Sequence, residues 1–482
     1  KNEIYQKYQT LSQRFYKQNR TGDLMNRISE DVGKVRMYTG PALMYSVQTI
    51  TLFLCSIPLM FYTSTTLATY ALLPLPILAF LVYFISRKIN QKTIEVQKFL
   101  SDISSFSQET FSGIHTIKAF VMEEETQKNV DRISQEGRKK HLALLRIEAW
   151  FFPIMIFLIG ISIIFVIFVG GRLYINGEIQ SIGVITEFTI YVMMLTWPVA
   201  TVGWVSNIVQ QAEASQGRIN EFLNEKSDIE TTIQYSTPIQ GDIRFENVTF
   251  TYPDTQITAL KEVSFHIPQG KNIAIIGRTG SGKSTILDLI TRMYDVQQGH
   301  IFIDGRDVRS LNLNDLRKAI SVIPQDSFLF SDTIGNNIKY GKSEATQEEI
   351  IAVAKLAQVH DNIMDFKDGY ETILGERGIS LSGGQRQRVS IARALLKEAQ
   401  IYLFDDCLSA VDTDTEEKIL HNLTQIAYNT TRIIVSHRVS VARNADSILF
   451  LDNGKLIGQG THQELYENNQ EYRNYYDTQV IE

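Results

Sequence analysis

Residues 273–285 read Ile-Ala-Ile-Ile-Gly-Arg-Thr-Gly-Ser-Gly-Lys-Ser-Thr. The apolar run 273–276 predicts a buried strand, and residues 284–290 predict a helix. The loop between them matches the spacing G-x-x-x-x-G-K-S/T. Such a loop turns its backbone N–H groups, with those of the helix N-terminus, toward one point where they can hold phosphates. The stretch therefore predicts a nucleoside-triphosphate site; the alternative is a glycine-rich turn with a chance lysine.

Two side chains of this loop have distinct predicted roles. Lys283 can reach the β- and γ-phosphates, and the Ser284 hydroxyl can coordinate Mg²⁺. The glycines are expected because the loop lies so close to the anion that larger side chains would clash. The predicted nucleotide-binding residues of this stretch are Gly277, Arg278, Thr279, Gly280, Ser281, Gly282, Lys283, Ser284 and Thr285.

The composition limits the classes of protein to consider. A chain of 482 residues is long enough for more than one domain. Its formal net charge of −6 gives no reason to expect nucleic acid as a partner. The two cysteines, Cys55 and Cys407, have no disulfide or metal-binding spacing. Because the chain begins at Lys1, without an initiator methionine or signal peptide, we expect an N-terminal truncation.

The first part of the chain contains long apolar stretches. Four of them carry almost no charge and are long enough to cross a bilayer, which takes about 20 residues per span. The predicted spans lie near residues 40–62, 67–86, 150–171 and 183–208. Basic residues concentrate in segments 1–36 and 87–146, which the positive-inside rule places in the cytosol. The alternative is a soluble protein with buried helices, but such proteins rarely use four uncharged runs of this length.

Short strands replace the spans after a charged, polar connector at residues 213–240. Strands at 243–252 and 260–267 lead toward the phosphate loop. Strands and helices then alternate to the end of the chain, which is typical of a sheet covered by helices. A further apolar strand at 401–406 ends in Asp405 and Asp406. Such a strand would place Asp405 beside the phosphate loop, where it can hold Mg²⁺ through water.

Residues 381–388 read Leu-Ser-Gly-Gly-Gln-Arg-Gln-Arg. Between a phosphate loop and an acidic strand, this stretch resembles the signature motif of the ABC transporter family, and the chain resembles one half of an ABC exporter. Physically it predicts a helix N-terminus whose free N–H groups attract a γ-phosphate; the alternative is a simple helix cap. The resemblance implies that the motif acts across a dimer, on ATP held by the partner's phosphate loop. Its residues are Ser382, Gly383, Gly384 and Gln385.

Other positions acquire roles through this resemblance. Tyr252 fits the aromatic residue that stacks on adenine, and Gln325 fits the glutamine that touches Mg²⁺ and senses the membrane domain. His437 fits the switch histidine that contacts the γ-phosphate, although an isolated histidine after a strand is more often structural. Two loops are expected to meet the partner subunit, namely Gly375-Glu376-Arg377-Gly378 and Ser409-Ala410-Val411-Asp412.

Asp406 departs from the family pattern. Competent ATPase sites of the family carry a glutamate there as general base, and an aspartate is one methylene shorter. Its carboxylate would lie about 1.5 Å farther from the attacking water, and a misplacement of about 1 Å can lower a rate about 100-fold. The resemblance is to the subunit of heterodimeric exporters that supplies a degenerate ATP site. The alternative is a slow homodimer in which Asp406 is a weak base.

The resemblance implies a multi-domain membrane protein. An all-α transmembrane domain with four of the six expected spans is followed by an α/β P-loop ATPase domain with a helical subdomain, and the two missing spans are expected to come first. The predicted boundaries are 1–225, a linker at 226–240, and 241–480. Residues 100–111 resemble a coupling helix that docks into the partner's nucleotide domain. ATP and Mg²⁺ are the implied cofactors.

The implied function is ATP-driven export of a hydrophobic or amphipathic substrate across the bacterial inner membrane, with the ATP-binding domain in the cytoplasm and a second exporter half as partner. Glu187 in the last span is a candidate functional acid within the membrane; the alternative is that it faces water, since it lies near the outer end of the span. The same span has an aromatic and methionine-rich stripe, which adapts to apolar ligands but is more often helix packing. The stripe comprises Tyr191, Met193, Met194, Trp197 and Trp204.

The sequence leaves the substrate open among hydrophobic drugs, lipids and peptides. Two other classes of protein are compatible with some of the motifs. An ATP-gated channel or regulatory subunit would bind ATP without turnover, which the short Asp406 allows. A soluble ABC ATPase of DNA repair or translation is the second class, and the four spans argue against it.

Overall fold

The computed structural model describes residues 1–481 except 231, 232, 234, 376–380, 409, 427–429 and 444. The chain forms two compact units. The first contains Lys1–Tyr5 and Gly22–Glu225, and the second contains Gln6–Thr21 and Lys226–Glu482. The segment Gln6–Thr21 therefore packs with the second unit, whereas the sequence placed all of residues 1–225 in one domain.

Long helices dominate residues 1–225. In chain order they are α1 (Asn2–Thr10), α2 (Gln13–Gln18), α3 (Thr21–Asn26), α4 (Val32–Met37), α5 (Leu43–Thr63), α6 (Thr65–Leu72), α7 (Pro74–Ser112), α8 (Ile114–Ala119), α9 (Glu123–Ile175) and α10 (Gly183–Asn224). π-helical turns at Arg27–Asp31 and Tyr38–Ala42 join α3, α4 and α5 without a break. Among the described residues, four continuous helices are long and apolar enough to cross a membrane, and they contain the four predicted spans. They are Thr21–Thr63, Thr65–Ser112, Glu123–Ile175 and Gly183–Asn224.

A single residue, Ser64, separates α5 from α6. Its backbone is extended, which ends α5, and its hydroxyl accepts a hydrogen bond from Leu67 N at 3.4 Å in the first turn of α6. Leu73 keeps a helical backbone, with φ −53° and ψ −40°, so α6 continues into α7, which starts at Pro74. Proline is favoured in a first helical turn because its missing N–H has no partner there in any case.

The side chains of the spans separate into a packed interior and an exposed apolar surface. Phe188, Val192 and Leu195 are fully buried on one face of α10, in a cluster with Leu67 and Val166. Many large apolar side chains on the other faces are exposed, and these include Phe80, Phe157, Ile164 and Phe168. Water would disfavour so many exposed apolar side chains, whereas the hydrocarbon core of a bilayer solvates them.

The last span extends farther than the sequence indicated. We expected a polar connector at residues 213–240, but α10 continues to Asn224. Its final turns bury a helical stripe, which comprises Ala212, Ser215, Ile219 and Phe222. Arg218 on this segment pairs with the buried Asp31, with Arg218 Nε 3.1 Å from Asp31 Oδ2. The charged residues on the other faces obscured this stripe in the sequence.

The second unit contains two sheets. Its strands are β1 (Ile243–Thr251), β2 (Thr258–Ile267), β3 (Asn272–Gly277), β4 (Gln298–Ile303), β5 (Arg306–Asp307), β6 (Ile320–Ile323), β7 (Ile401–Asp405), β8 (Thr431–Ser436), β9 (Ser447–Asp452) and β10 (Lys455–Gly460). An antiparallel sheet has the order β2-β1-β4-β5, and a six-stranded sheet has the order β10-β9-β3-β8-β7-β6. Both sheets are predominantly apolar toward the interior, as in a layered α/β domain.

Helices cover both faces of the six-stranded sheet. They are α11 (Lys283–Ile290), α12 (Leu313–Ala319), α13 (Ile334–Lys339), α14 (Gln347–Leu356), α15 (His360–Met364), α16 (Gly383–Leu396), α17 (Thr413–Ile426), α18 (Val439–Ala442), α19 (His462–Asn468) and α20 (Gln470–Ile481). Ile286 of α11 is fully buried in one core with Phe250 and Ile275. Val389 of α16 is buried in a second core, with Phe404 of β7. Helices α13–α16 form a helical subdomain around this second core. This subdomain and the helix-covered sheet confirm the predicted α/β fold class.

The strand order explains where the functional residues lie. β3, β8, β7 and β6 are consecutive neighbours and run parallel. Their carboxyl ends therefore share one edge of the sheet, which is the usual ligand-binding edge of such folds. The phosphate loop follows β3, and His437 follows β8. Asp405 ends β7, and Gln325 lies two residues beyond β6.

Candidate nucleotide-binding site

The phosphate loop has positive φ angles at Gly277, Gly280 and Gly282, and at two of these positions a Cβ atom would also collide with the protein. Gly277 has φ +157°, and a Cβ atom there would overlap the carbonyl oxygen of Leu451. Gly282 has φ +97°, and its Cβ atom would lie 2.5 Å from the carbonyl oxygen of Ala259. We expected the glycines to be needed by the close approach of an anion. At these two positions the crowding comes from the protein's own backbone.

Lys283 is buried inside the loop. Its Nζ donates hydrogen bonds to the carbonyl oxygens of Gly277, at 2.7 Å, and Arg278, at 2.9 Å. Burial lowers the pKa of Lys283 to about 8, although the nearby Asp406 and Asp405 carboxylates favour its charged form. The ammonium is thus held by two neutral carbonyls. A phosphate would be a stronger partner for it.

Ser284 and Asp405 meet across the sheet edge. Ser284 Oγ donates a 2.8 Å hydrogen bond to Asp405 Oδ1, although 121 positions separate the two residues in the chain. Burial raises the pKa of Asp405, and the Ser284 hydrogen bond opposes that rise. A hydroxyl and a carboxylate oxygen at this separation fit the oxygen ligands that Mg²⁺ prefers. Gln325 is exposed, and the strand order places it at the same edge.

A second feature of the loop suits an anion. The Ser281 hydroxyl is buried, and it has no hydrogen-bond partner among the residues that the structure describes. A buried hydroxyl without a partner costs free energy, on the order of 1–3 kcal/mol. A phosphate oxygen in the loop would satisfy this donor.

Asp406 and His437 form the other side of the site. Asp406 has a left-handed backbone, φ +44°, and its N–H donates to the Val435 carbonyl at 2.9 Å. His437 Nε2 lies 4.0 Å from Asp406 Oδ2. The Asp406 side chain is mostly buried, whereas that of His437 is partly open to solvent. The structure therefore brings two of the predicted catalytic residues, Asp406 and His437, close together; Gln325 is the third.

Tyr252 lies in an aromatic cluster with a lysine above it. Its hydroxyl is 3.0 Å from Thr285 Oγ1, and its ring meets the Tyr294 ring edge-on at 5.4 Å. Lys17 Nζ lies 5.1 Å from the centre of the Tyr252 ring and 5.3 Å from that of Tyr294. Burial raises the pKa of nearby Asp288 to about 6, and the Lys17 charge opposes that rise. The sequence reasoning missed both Lys17 and Asp288.

The signature residues form a helix N-terminus. Ser382 Oγ accepts a hydrogen bond from Gln385 N at 3.2 Å, and Ser382 N donates to Gln385 Oε1 at 2.9 Å. This reciprocal pair is a capping box for α16. Gly383 is exposed and Gly384 is half-buried, so the helix end remains accessible. Ser382 therefore caps α16, as in the alternative interpretation of this motif. The cap leaves the positive end of the helix dipole available to an anion.

Comparisons with known proteins agree with this architecture. The family described as the ABC transporter transmembrane region matches residues 1–199, and the family described as ABC transporter matches residues 260–409. Over 481 residues the chain is 37% identical to the uncharacterized ABC transporter ATP-binding protein YknU of Bacillus subtilis (strain 168), covering 99% of this chain and 82% of that protein. The chain belongs to the ABC transporter family.

Other relatives and a solved structure identify an ABC exporter. The chain is 36% identical to the multidrug resistance-like ATP-binding protein MdlA of Escherichia coli (strain K12), covering 98% of this chain and 81% of that protein. It is 34% identical to the ATP-dependent lipid A-core flippase of Syntrophus aciditrophicus (strain SB), with coverages of 100% and 80%. The structure of a bacterial Atm1-family ABC exporter with ATP bound matches with a TM-score of 0.84 at 27% identity, covering 100% of this chain and 84% of that one.

These matches confirm several of the expectations. The protein is a membrane exporter whose transmembrane helices are fused to an ATP-binding domain, and its ATPase activity is coupled to transport. The membrane is the inner membrane, and the ATP-binding domain is cytoplasmic. The classes of a soluble ABC ATPase and of a soluble protein with buried helices do not fit.

Parts of the two loops that are expected to meet the partner subunit lie outside the described residues, namely Glu376, Arg377, Gly378 and Ser409. The rest of the second loop is in place beside the signature helix. Ala410 N donates to Gln387 Oε1 at 3.2 Å, and a Cβ atom on Gly384 would lie 2.8 Å from the Ala410 carbonyl oxygen. The signature helix and this loop therefore pack as one surface.

Proposed function

We propose that this exporter half pairs with a different subunit and contributes the ATP site that hydrolyses slowly. The observation that carries the proposal is Asp406, where a competent site has a glutamate. The Asp406 carboxylate lies 4.0 Å from His437 Nε2 and belongs to a mostly buried side chain, so it has little freedom to advance toward an attacking water. A general base must come within about 3 Å of the proton that it removes.

In this proposal the rest of the site binds ATP normally. Lys283 leaves the two loop carbonyls to contact the β- and γ-phosphates, and the Ser281 hydroxyl gains a phosphate partner. Ser284, Asp405 and Gln325 hold Mg²⁺, which neutralises charge on the phosphates when bound. Tyr252 stacks on the adenine. Ser382 and the N–H groups of the signature helix act on ATP held by the partner.

The proposed substrate is hydrophobic or amphipathic. Two relatives are named for multidrug resistance and for flipping lipid A-core. Four aromatic and methionine side chains of the last span are exposed, namely Met193, Met194, Trp197 and Trp204. Such side chains adapt to varied apolar ligands. Tyr191 and Glu187 of the same span are hydrogen-bonded to each other, at 2.7 Å, so they form one polar feature on this helix.

Replacing Asp406 tests whether the exporter half pairs with a different subunit or with a second copy of itself. In a mixed dimer Asp406→Asn should lower total ATPase only slightly, because the competent glutamate belongs to the partner. In a homodimer Asp406 is the sole base, and its loss should lower turnover by about 10²–10⁴-fold. ATPase assays on the purified dimer measure this difference. An inactive Asp406→Asn exporter would refute the mixed dimer, and Asp406→Glu then shows whether side-chain length limits the site.

A further inference from the structure

The C-terminal helix α20 reaches the predicted catalytic edge of the sheet. Its Tyr472 is fully buried, with its ring edge-on to the Phe450 ring at 5.4 Å, which anchors the helix against the strands. One turn later, the Tyr475 hydroxyl lies 3.2 Å from the His437 carbonyl oxygen and 3.4 Å from the Gly277 carbonyl oxygen. Residues 437–438, between β8 and α18, are called the switch loop below. The Tyr475 hydroxyl proton is thus shared between a carbonyl of the switch loop and a carbonyl of the phosphate loop.

Gln479 binds the same loop from the next turn of α20. Its Nε2 donates to the His437 carbonyl at 2.7 Å, and its Oε1 accepts from Val439 N at 3.2 Å. One side-chain amide therefore holds backbone groups on both sides of Arg438. Because a planar amide fixes both its donor and its acceptor direction, this pair restrains the orientation of the peptides that carry the His437 side chain.

These contacts connect to the phosphate loop. The Gly277 carbonyl that Tyr475 approaches also accepts a hydrogen bond from Lys283 Nζ, at 2.7 Å. Through its contacts with the Gly277 and His437 carbonyls, Tyr475 therefore links the phosphate loop to the His437 backbone. The His437 imidazole projects from this fixed backbone to within 4.0 Å of the Asp406 carboxylate.

We propose that Tyr475 and Gln479 are positioning residues, which hold His437 in its working orientation for ATP hydrolysis at this chain's own phosphate loop. The inference rests on the role proposed for His437. Neither residue belongs to the motifs that identified the exporter. The Tyr475 ring also packs against Phe450 in the apolar anchor of the helix, but this packing does not account for the hydrogen bonds of its hydroxyl or of the Gln479 amide.

The test measures hydrolysis at this chain's own site in the full exporter dimer. In a symmetric dimer this is the total turnover, and in a mixed dimer it is the turnover left after the partner's glutamate is replaced by glutamine. Gln479→Leu should lower kcat about 10-fold with KM for ATP nearly unchanged, because binding groups stay in place while the histidine is misdirected. Tyr475→Phe should lower kcat less, because only one shared hydroxyl is lost.

Tyr466→Phe is the matched control. Its hydroxyl donates to Asp477 Oδ1 at 3.0 Å, within the same C-terminal segment but away from the switch loop. It should leave kcat unchanged, and thermal unfolding should show that all three variants are folded. A kcat for Gln479→Leu equal to that of wild type would overturn the inference.

A double variant separates positioning from a general structural effect. If Gln479 acts through His437, then Gln479→Leu should have no further effect in a His437→Ala background. Independent, multiplicative losses in the double variant would show that Gln479 acts by another route and would overturn the inference. Normal turnover of His437→Ala alone would instead refute the role proposed for the histidine, and the positioning role would fall with it.

Discussion

At the scale of single residues, Lys283 carries a charge that its surroundings disfavour. Burial lowers its pKa to about 8, and its ammonium contacts two neutral carbonyls. A bound triphosphate would favour the charged form and raise this pKa, so binding above pH 8 must take up a proton. We expect the affinity for ATP to be constant below that pH and to fall by up to about tenfold per pH unit above it.

Titrations with a fluorescent ATP analogue across this pH range measure the effect. Lys283→Met serves as the control, because it has no proton to take up; its affinity should be weak and should not change with pH. If the ATP affinity of the wild-type exporter also does not change with pH, Lys283 stays fully charged in the free protein.

The motif residues could be predicted because each lies in a short segment of fixed spacing. Ser284 and Asp405 are far apart in the chain, yet the strand-loop-helix pattern around each one placed both at one sheet edge. Lys17 had no such signal, because only the packing of Gln6–Thr21 in the second unit brings it to Tyr252. Asp288 did have a signal in the sequence, because it is a carboxylate inside an otherwise apolar helical turn.

At the scale of elements, the N-terminus of α16 has a structural and a proposed functional role that can be separated. Ser382 caps the helix, and Ser382→Ala should destabilise the domain by about 1 kcal/mol. If the serine also acts on ATP held by the partner, the same variant should lower turnover at the partner's phosphate loop far more than this loss of stability explains. ATPase assays of dimers with only this chain mutated measure that turnover.

Thr346→Ala is the matched control for the cap. Thr346 and Glu349 form another capping box at the start of α14, in the same helical subdomain. Its loss should destabilise the domain by a similar amount, about 1 kcal/mol, and leave turnover unchanged. Equal turnover losses in the Ser382 and Thr346 variants would mean that the signature serine acts through stability alone.

Element boundaries were harder to predict than element types. The end of α10 was missed because its buried stripe is narrow and its remaining positions are polar, so the mean composition resembles a connector. The sequence predicted that the glycines of the phosphate loop are needed because an anion lies close to them, and the structure gives a separate reason at two positions. Only the folded chain shows that Leu451 and Ala259 crowd Gly277 and Gly282.

At the scale of the whole molecule, if the exporter is a mixed dimer, its two bound nucleotides should have unequal lifetimes. In the proposed mixed dimer the phosphate loop of this chain binds ATP through its full set of motif residues, while Asp406 is a poor base. After free nucleotide is removed, one ATP per dimer should therefore remain unhydrolysed on this chain for many turnovers of the other site. Radiolabelled ATP, followed by photo-crosslinking to identify the subunit, measures this; equal loss from both subunits would support the symmetric dimer.

The one-residue turn at Ser64 has a consequence for how the exporter is made. Two membrane-crossing helices are joined here by a single residue. The connection is therefore too short for the first helix to complete its crossing while the second is still outside the membrane. The unpaired backbone of a half-inserted segment is strongly disfavoured in lipid. We therefore expect Thr21–Thr63 and the apolar start of Thr65–Ser112 to enter the bilayer together, as one helical hairpin. The turn exposes only a few side chains beside Ser64, such as Tyr62 and Thr65, so it offers a protease or an antibody a short target.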